Sequence, residues 1–128
     1  MVSLISARAT KIEVINNLTE SKEINIDIEN GFSVSYAEDG EHCGAILNAG
    51  FKMQGHPDTL TVLCTIVGDF ATQKISSTDD KKKIHVECYY ALFPYAQALV
   101  ARLCTDAGLP PFYVQALDMN PENVIVKE

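Results

Sequence analysis

The chain has 128 residues, 47% of them hydrophobic, and a formal charge of −7 at pH 7. That length implies one domain with a sizeable core, and that apolar fraction excludes a disordered chain. The negative charge excludes a nucleic-acid binder, which needs clustered Lys and Arg to meet phosphates, and no apolar run approaches the roughly 18 residues of a membrane span, so no membrane insertion is expected.

The first residues, Met1-Val2-Ser3-Leu4-Ile5-Ser6, lack the basic start and long apolar middle of a secretory signal, so the expected location is cytoplasmic. A strand is predicted from Thr10 to Asn16, beginning as early as Ser3. In Glu23-Ile24-Asn25-Ile26-Asp27-Ile28-Glu29 isoleucines alternate with polar residues, the period of a half-buried strand. Asn30-Gly31 is read as an interruption, after which Phe32, Val34 and Tyr36 resume the pattern. Asp39-Gly40 signals a turn. Ala45, Leu47, Ala49, Phe51 and Met53 form the next inward set, and Gly55-His56-Pro57-Asp58 a hairpin connector. Leu60, Val62, Cys64 and Ile66 follow on a further strand. Short turns rather than helices join these runs, which span residues 3–75, so the sheet is expected to be antiparallel.

The opposite face of the Leu60 strand is Thr61, Leu63, Thr65 and Val67. A solvated sheet face is normally more polar. Leu63 and Thr65 are therefore candidates for a surface covered by a partner.

Ser76, Ser77, Thr78, Asp79 and Asp80 supply helix-capping residues, and a helix is predicted over residues 79–107. Tyr89, Leu92, Phe93, Ala96, Leu99, Val100, Leu103, Cys104 and Ala107 recur at spacings of three and four, one apolar stripe. Beside it lie Pro94, Ala98, Ala101 and Thr105, small residues that suit a close helix–helix contact. Alanine is also the best helix former, so the stripe has an ordinary explanation too. Pro94 lacks an N–H and crowds the carbonyl of Tyr90, which predicts a kink. Gly108 and Pro110 end the helix, and residues 109–128 are expected to be extended.

No catalytic constellation emerges. The sequence contains no GxSxG, Walker loop, HExxH or post-strand GxGxxG, and its histidines, His42, His56 and His85, are scattered. Cys43, Cys64, Cys88 and Cys104 show no CxxC and sit among apolar residues, as reduced core thiols do. His85 and Cys88 lie three apart on one helical face, but two ligands do not close a zinc site. A non-enzyme without metal or cofactor is expected. The apolar surplus points to binding instead. Phe93, Tyr95, Phe112 and Tyr113, with Leu109, Pro110 and Pro111, flank the expected kink and the double proline and are candidates to line a groove between helix and sheet.

The stretch LFPYAQALV…GLPPFYVQAL, residues 92–117, resembles the signature helix and following loop of the SecB export chaperones, where Leu-Phe-Pro-Tyr-Ala-Arg precedes Phe-Pro-Pro-Leu. Residues 23–27 are similar to that family's second strand, and TLTVLCTIVGDFA, residues 59–71, to its fourth. The resemblance implies an α+β fold, a four-stranded antiparallel sheet packed on a long kinked helix, assembled as a dimer of dimers. Helices meeting at the tetramer interface would give Ala98, Ala101 and Thr105 a use. It further implies an ATP-independent holdase that binds unfolded chains in apolar grooves, with the SecA translocase motor as a second partner. The sequence departs from the family at the motor-docking surface. Thr65 stands where a Glu is frequent, and Lys11 lies nearest a family Asp; Gln97 replaces the Arg of the helix motif, and the second helix and acidic tail are lacking. These departures favour a solitary member serving a dedicated client, such as an antitoxin or a client of a mobile element. The alternative is an adaptor of the same fold with one folded partner.

Overall fold

The computed structural model describes residues 2–19 and 23–126. The last two residues of the expected extended tail, and Met1, lie outside that set. Four strands precede one helix: β1 (Val2–Asn16), β2 (Ile26–Tyr36), β3 (His42–Met53), β4 (Leu60–Thr72) and α1 (Thr78–Asp106), followed by a short 3-10 turn, Pro121–Asn123. The sheet order is β1-β4-β3-β2 with every pairing antiparallel, so β1 and β2 are the edges.

Period-two alternation decides which face is buried. Cys43, Ala45, Leu47, Ala49 and Phe51 of β3 point inward, each at most 5% exposed, beside Leu60, Val62, Cys64, Ile66 and Phe70 of β4. The register sets Ile26, Ile28, Phe32, Val34 and Tyr36 of β2 opposite the inward residues of β3. Contrary to the expected break, β2 runs through Asn30 and Gly31 without interruption; Asn30 pairs with Ala49 and takes an inward position. β1 is also longer than its alternation suggests. Irregularities between Leu4 and Ser6 and between Ala9 and Lys11 shift its register, which breaks the period of two along residues that remain in the sheet.

Gly50 is required in β3. Its φ is +141°, and a Cβ there would collide with the Val62 carbonyl. Gly68 of β4 makes room for the helix, because a Cβ would sit 2.9 Å from a methyl of Leu92.

Helix α1 starts where a side chain can satisfy its free amides. Ser77 Oγ accepts the Asp80 N–H at 3.1 Å, and the Asp80 carboxylate accepts Ser76 N–H and O–H. The helix continues through Pro94 as one element. Ile84, Cys88, Tyr89, Leu92, Phe93, Ala96, Val100, Ala101 and Cys104 are buried, and Leu99 and Leu103 pack against that core. The helix ends in a Schellman pattern: Gly108 has φ +81°, its N–H donates to Thr105 O, and Leu109 N–H donates to Cys104 O at 2.8 Å. Gly108 thereby turns the chain back along the helix. None of the described helices is long and apolar enough to cross a membrane.

Candidate functional site

After the reversal, residues 109–120 form no regular secondary structure. This strap runs back along α1 on the β2 side, and side chains hold it where a backbone ladder would otherwise do so. Gln97 Nε2 donates to Val114 O at 2.9 Å, and Asn30 Nδ2 donates to Gln115 O at 3.1 Å. The Tyr89 hydroxyl accepts Leu117 N–H at 2.8 Å and donates to Asn30 Oδ1 at 3.2 Å. The Tyr90 hydroxyl accepts Met119 N–H and donates to Leu117 O, both at 3.0 Å. Asn30 belongs to β2 and the other three to α1, so the strap bridges helix and sheet edge. Its apolar anchors are Val114, fully buried, and Phe112, whose ring meets Phe51 edge-on at 5.1 Å. Asn120 then caps the 3-10 turn by accepting Glu122 N–H.

Beyond the turn, Ile125 and Val126 reach a cavity of about 690 Å³ between β2 and the start of α1, walled by Phe32, Tyr36, Lys81 and His85. The Tyr36 hydroxyl donates to Lys81 O at 2.8 Å, and burial, helped by the nearby Cys43 and Cys88 thiols, pushes its pKa up to about 12. His85 stands edge-on to Phe32 at 5.0 Å, and burial lowers its pKa below the ordinary 6.5. These shifts follow from desolvation.

The groove candidates divide. Tyr95 and Tyr113 are open to solvent, 53% and 58% exposed. Pro110 and Pro111 are exposed, and Leu109 and Phe112 are half-buried on the strap. Phe93 is not on this surface. It is 6% exposed and stacks at a tilt on Tyr89, a core position dictated by its place in the apolar stripe. A residue missing from the sequence-derived set joins the others. Ile28 lies on the helix side of edge strand β2, opposite Phe51, yet is 54% exposed. Because Phe51 also carries Phe112, an apolar surface opens at the β2 edge beside the strap.

The interface candidates fall on two opposite sides of the molecule. Ala98 and Thr105 are exposed on α1, but Ala101 is buried within its own chain at 8% exposure, so it offers no surface to a second helix. Thr105 Oγ1 donates back to Ala101 O at 3.1 Å. Leu63 and Thr65 are half-buried on the sheet face away from the helix and cannot meet the same partner surface as Ala98. On that outer face Thr65 pairs in register with Lys11 and donates to Asn48 Oδ1 at 2.6 Å. Lys52 pairs with Glu29 at 3.2 Å nearby. Helix-side apolar side chains of β1 are exposed as well, Ile12 at 52% and Val14 at 39%.

Comparison with known proteins agrees with this architecture. A family model described as preprotein translocase subunit SecB matches residues 20–121. Among solved structures, the Mycobacterium tuberculosis Rv1957 SecB-like chaperone, in complex with a ChAD peptide from the Rv1956 HigA1 antitoxin, superposes with a TM-score of 0.68. That likeness covers 91% of this chain and 88% of the other at 15% sequence identity, and so concerns the fold. No curated protein sequence matches the chain.

Proposed function

The chain belongs to the SecB family, and on that premise we propose that it is an ATP-independent holdase for extended, non-native polypeptides. The observation that carries this reading is the open apolar surface at the β2 edge. Ile28 and Tyr113 are more than half exposed there, beside Phe112, and β2 is the edge of the sheet among the described residues. A client segment in extended conformation adds to that edge through backbone hydrogen bonds and sets alternate side chains against Ile28, Phe112 and Tyr113. Burial of apolar area, at roughly 25 cal/mol per Å², supplies the affinity. Leu109, Pro110 and Pro111 at the helix end extend the same surface, whereas Tyr95, two residues before the strap-facing Gln97, lies on the other side of α1.

The M. tuberculosis SecB-like chaperone holds an antitoxin peptide, which supports reading the clients here as extended segments, an antitoxin among them. Docking to the SecA motor is the less favoured part of the family's repertoire. Thr65, where a Glu is frequent in the family, and Lys11, nearest a family Asp, are register partners on the outer sheet face, Lys11 on edge strand β1. A cation and a hydroxyl there remove the negative charge that such docking uses. We read Ala98 and Thr105 on α1, together with Ile12 and Val14 on β1, as the surfaces that assemble a cytoplasmic dimer of dimers.

Light scattering tests both parts. The expected mass is about four times the 14.0 kDa chain, rising when a denatured, slowly folding protein is added without nucleotide. A species that ignores unfolded chains but captures one folded partner would replace the holdase with an adaptor.

A further inference from the structure

Cys43 of β3 and Cys88 of α1 are 45 residues apart in sequence, yet their sulfurs stand 3.7 Å from each other across the sheet–helix interface. No comparable sulfur contact exists for Cys64 or Cys104 among the described residues; the backbone partners of those two thiols are Ala49 and Phe112. We propose that Cys43 and Cys88 are an oxidisable dithiol, a modification site at which a hydroperoxide converts the sheet–helix contact into a covalent crosslink.

Three observations support the site. The first is proximity. A disulfide needs about 2.05 Å between sulfurs, so the gap to close is about 1.7 Å. The second is access. Cys43 at the sheet end keeps 5% exposure and Cys88 none, so a small oxidant meets Cys43 first. The third is an asymmetry between the partners. The two sulfurs share one S–H···S hydrogen bond that either thiol can donate; it holds the Cys43 pKa down and, with burial, raises that of Cys88. Cys43 is the nucleophile and Cys88 the resolving thiol.

The chemistry balances without a further reactant. Cys43 thiolate attacks one peroxide oxygen; the O–O bond breaks, hydroxide leaves, and Cys43 becomes a sulfenic acid. Cys88 sulfur then attacks Cys43 sulfur, the S–O bond breaks, and water carries away the oxygen with the Cys88 proton. Two thiols are oxidised by two electrons and one peroxide is reduced to two waters.

The crosslink fixes α1 to β3 at the residue directly before Tyr89 and Tyr90, the pair that holds the strap. It also closes a loop of tens of residues in the unfolded chain, which raises the melting temperature by roughly 10 °C.

The test is peptide mapping of the native full chain after exposure to hydrogen peroxide, followed by denaturation and thiol alkylation. The expected result is an intact mass lower by about 2 Da before alkylation, two thiols protected, and one linked peptide pair containing Cys43 and Cys88. Cys43→Ala should abolish the link, and Cys64→Ala should leave it. Full alkylation of Cys43 and Cys88, a link to another cysteine, a link only between chains, or Cys43 stopping at sulfinic acid would each overturn the proposal. The wild-type map alone is decisive should a variant fail to fold.

Discussion

Replacing Tyr89 with Phe isolates the hydroxyl that joins β2, α1 and the strap. The ring would keep its packing, edge-on to Phe32 at 5.3 Å and tilted on Phe93 at 5.5 Å, so no cavity opens. Two hydrogen bonds disappear, one to Asn30 and one from Leu117 N–H. A typical intramolecular hydrogen bond contributes about 1 kcal/mol net, so the pair contributes about 2 kcal/mol. At 1.4 kcal/mol per tenfold, strap opening should become roughly 30-fold more frequent. Amide exchange measured residue by residue reads this directly. Leu117 should exchange roughly 30-fold faster, with Met119 following, while amides in the middle of β3 and β4 change only as far as global stability does. A double-mutant cycle with Asn30→Ala should show coupling, because the two side chains share one bond. If Leu117 exchange stays within about twofold of wild type, the strap is held by Val114 and Phe112 packing alone and the hydrogen-bond argument fails.

Gly50→Ala should destabilise the fold by at least about 3 kcal/mol, since its φ of +141° and the nearby Val62 carbonyl leave no place for a Cβ; urea unfolding measures it, and a midpoint like wild type would contradict the register of β3 and β4. Ile28→Asp and Tyr113→Asp alter residues that are 54% and 58% exposed; both should keep the wild-type circular dichroism and lose suppression of client aggregation, and full suppression by both would move the client surface elsewhere. His85 is half-buried and its pKa is lowered by burial. The folded protein therefore binds this proton less readily than the unfolded chain, so the stability associated with neutral His85 is present above pH 6.5 and is lost as pH falls from there through the lowered folded value. Melting temperatures between pH 7.5 and 5 should fall with a slope that His85→Gln flattens, and an equal slope in both proteins would refute the assignment.

The parts of this fold that were legible in sequence are those where one period holds over many residues. The inward residues of β3 and β4 and the apolar stripe of α1 are uninterrupted, and Ser77 and Gly108 mark the helix ends. Legibility fails where a residue serves two elements. Asn30 is polar at an inward position of β2, which in isolation looks like a break. It is polar because it meets Tyr89 and the strap. The register shifts in β1 break its alternation, but the strand expected to begin as early as Ser3 and end at Asn16 is there, as Val2–Asn16. The candidate site was only half visible for the same reason. Aromatic content near the double proline pointed to Phe112 and Tyr113, but which aromatics stay exposed depends on how the chain folds back after Gly108. That reversal leaves Tyr113 outside, while Phe93 is placed in the core by helix phase. Ile28 gave no signal of its own, because an inward-facing strand residue is normally covered, and only its place on an edge strand exposes it.

The strap also says something about the order in which this chain can assemble. Its hydrogen-bonding partners lie 17, 27, 28 and 85 residues earlier in the sequence, on two different elements. Local bonds fix only its start, where Leu109 N–H meets Cys104 O, so most of it docks after the sheet and helix have come together. Until then Phe51 lacks its Phe112 partner, and the space between α1 and β2 that the strap will fill stands uncovered. Each newly made molecule therefore passes through a stage in which its own surface is unfinished and apolar, and its last intramolecular step is to cover itself.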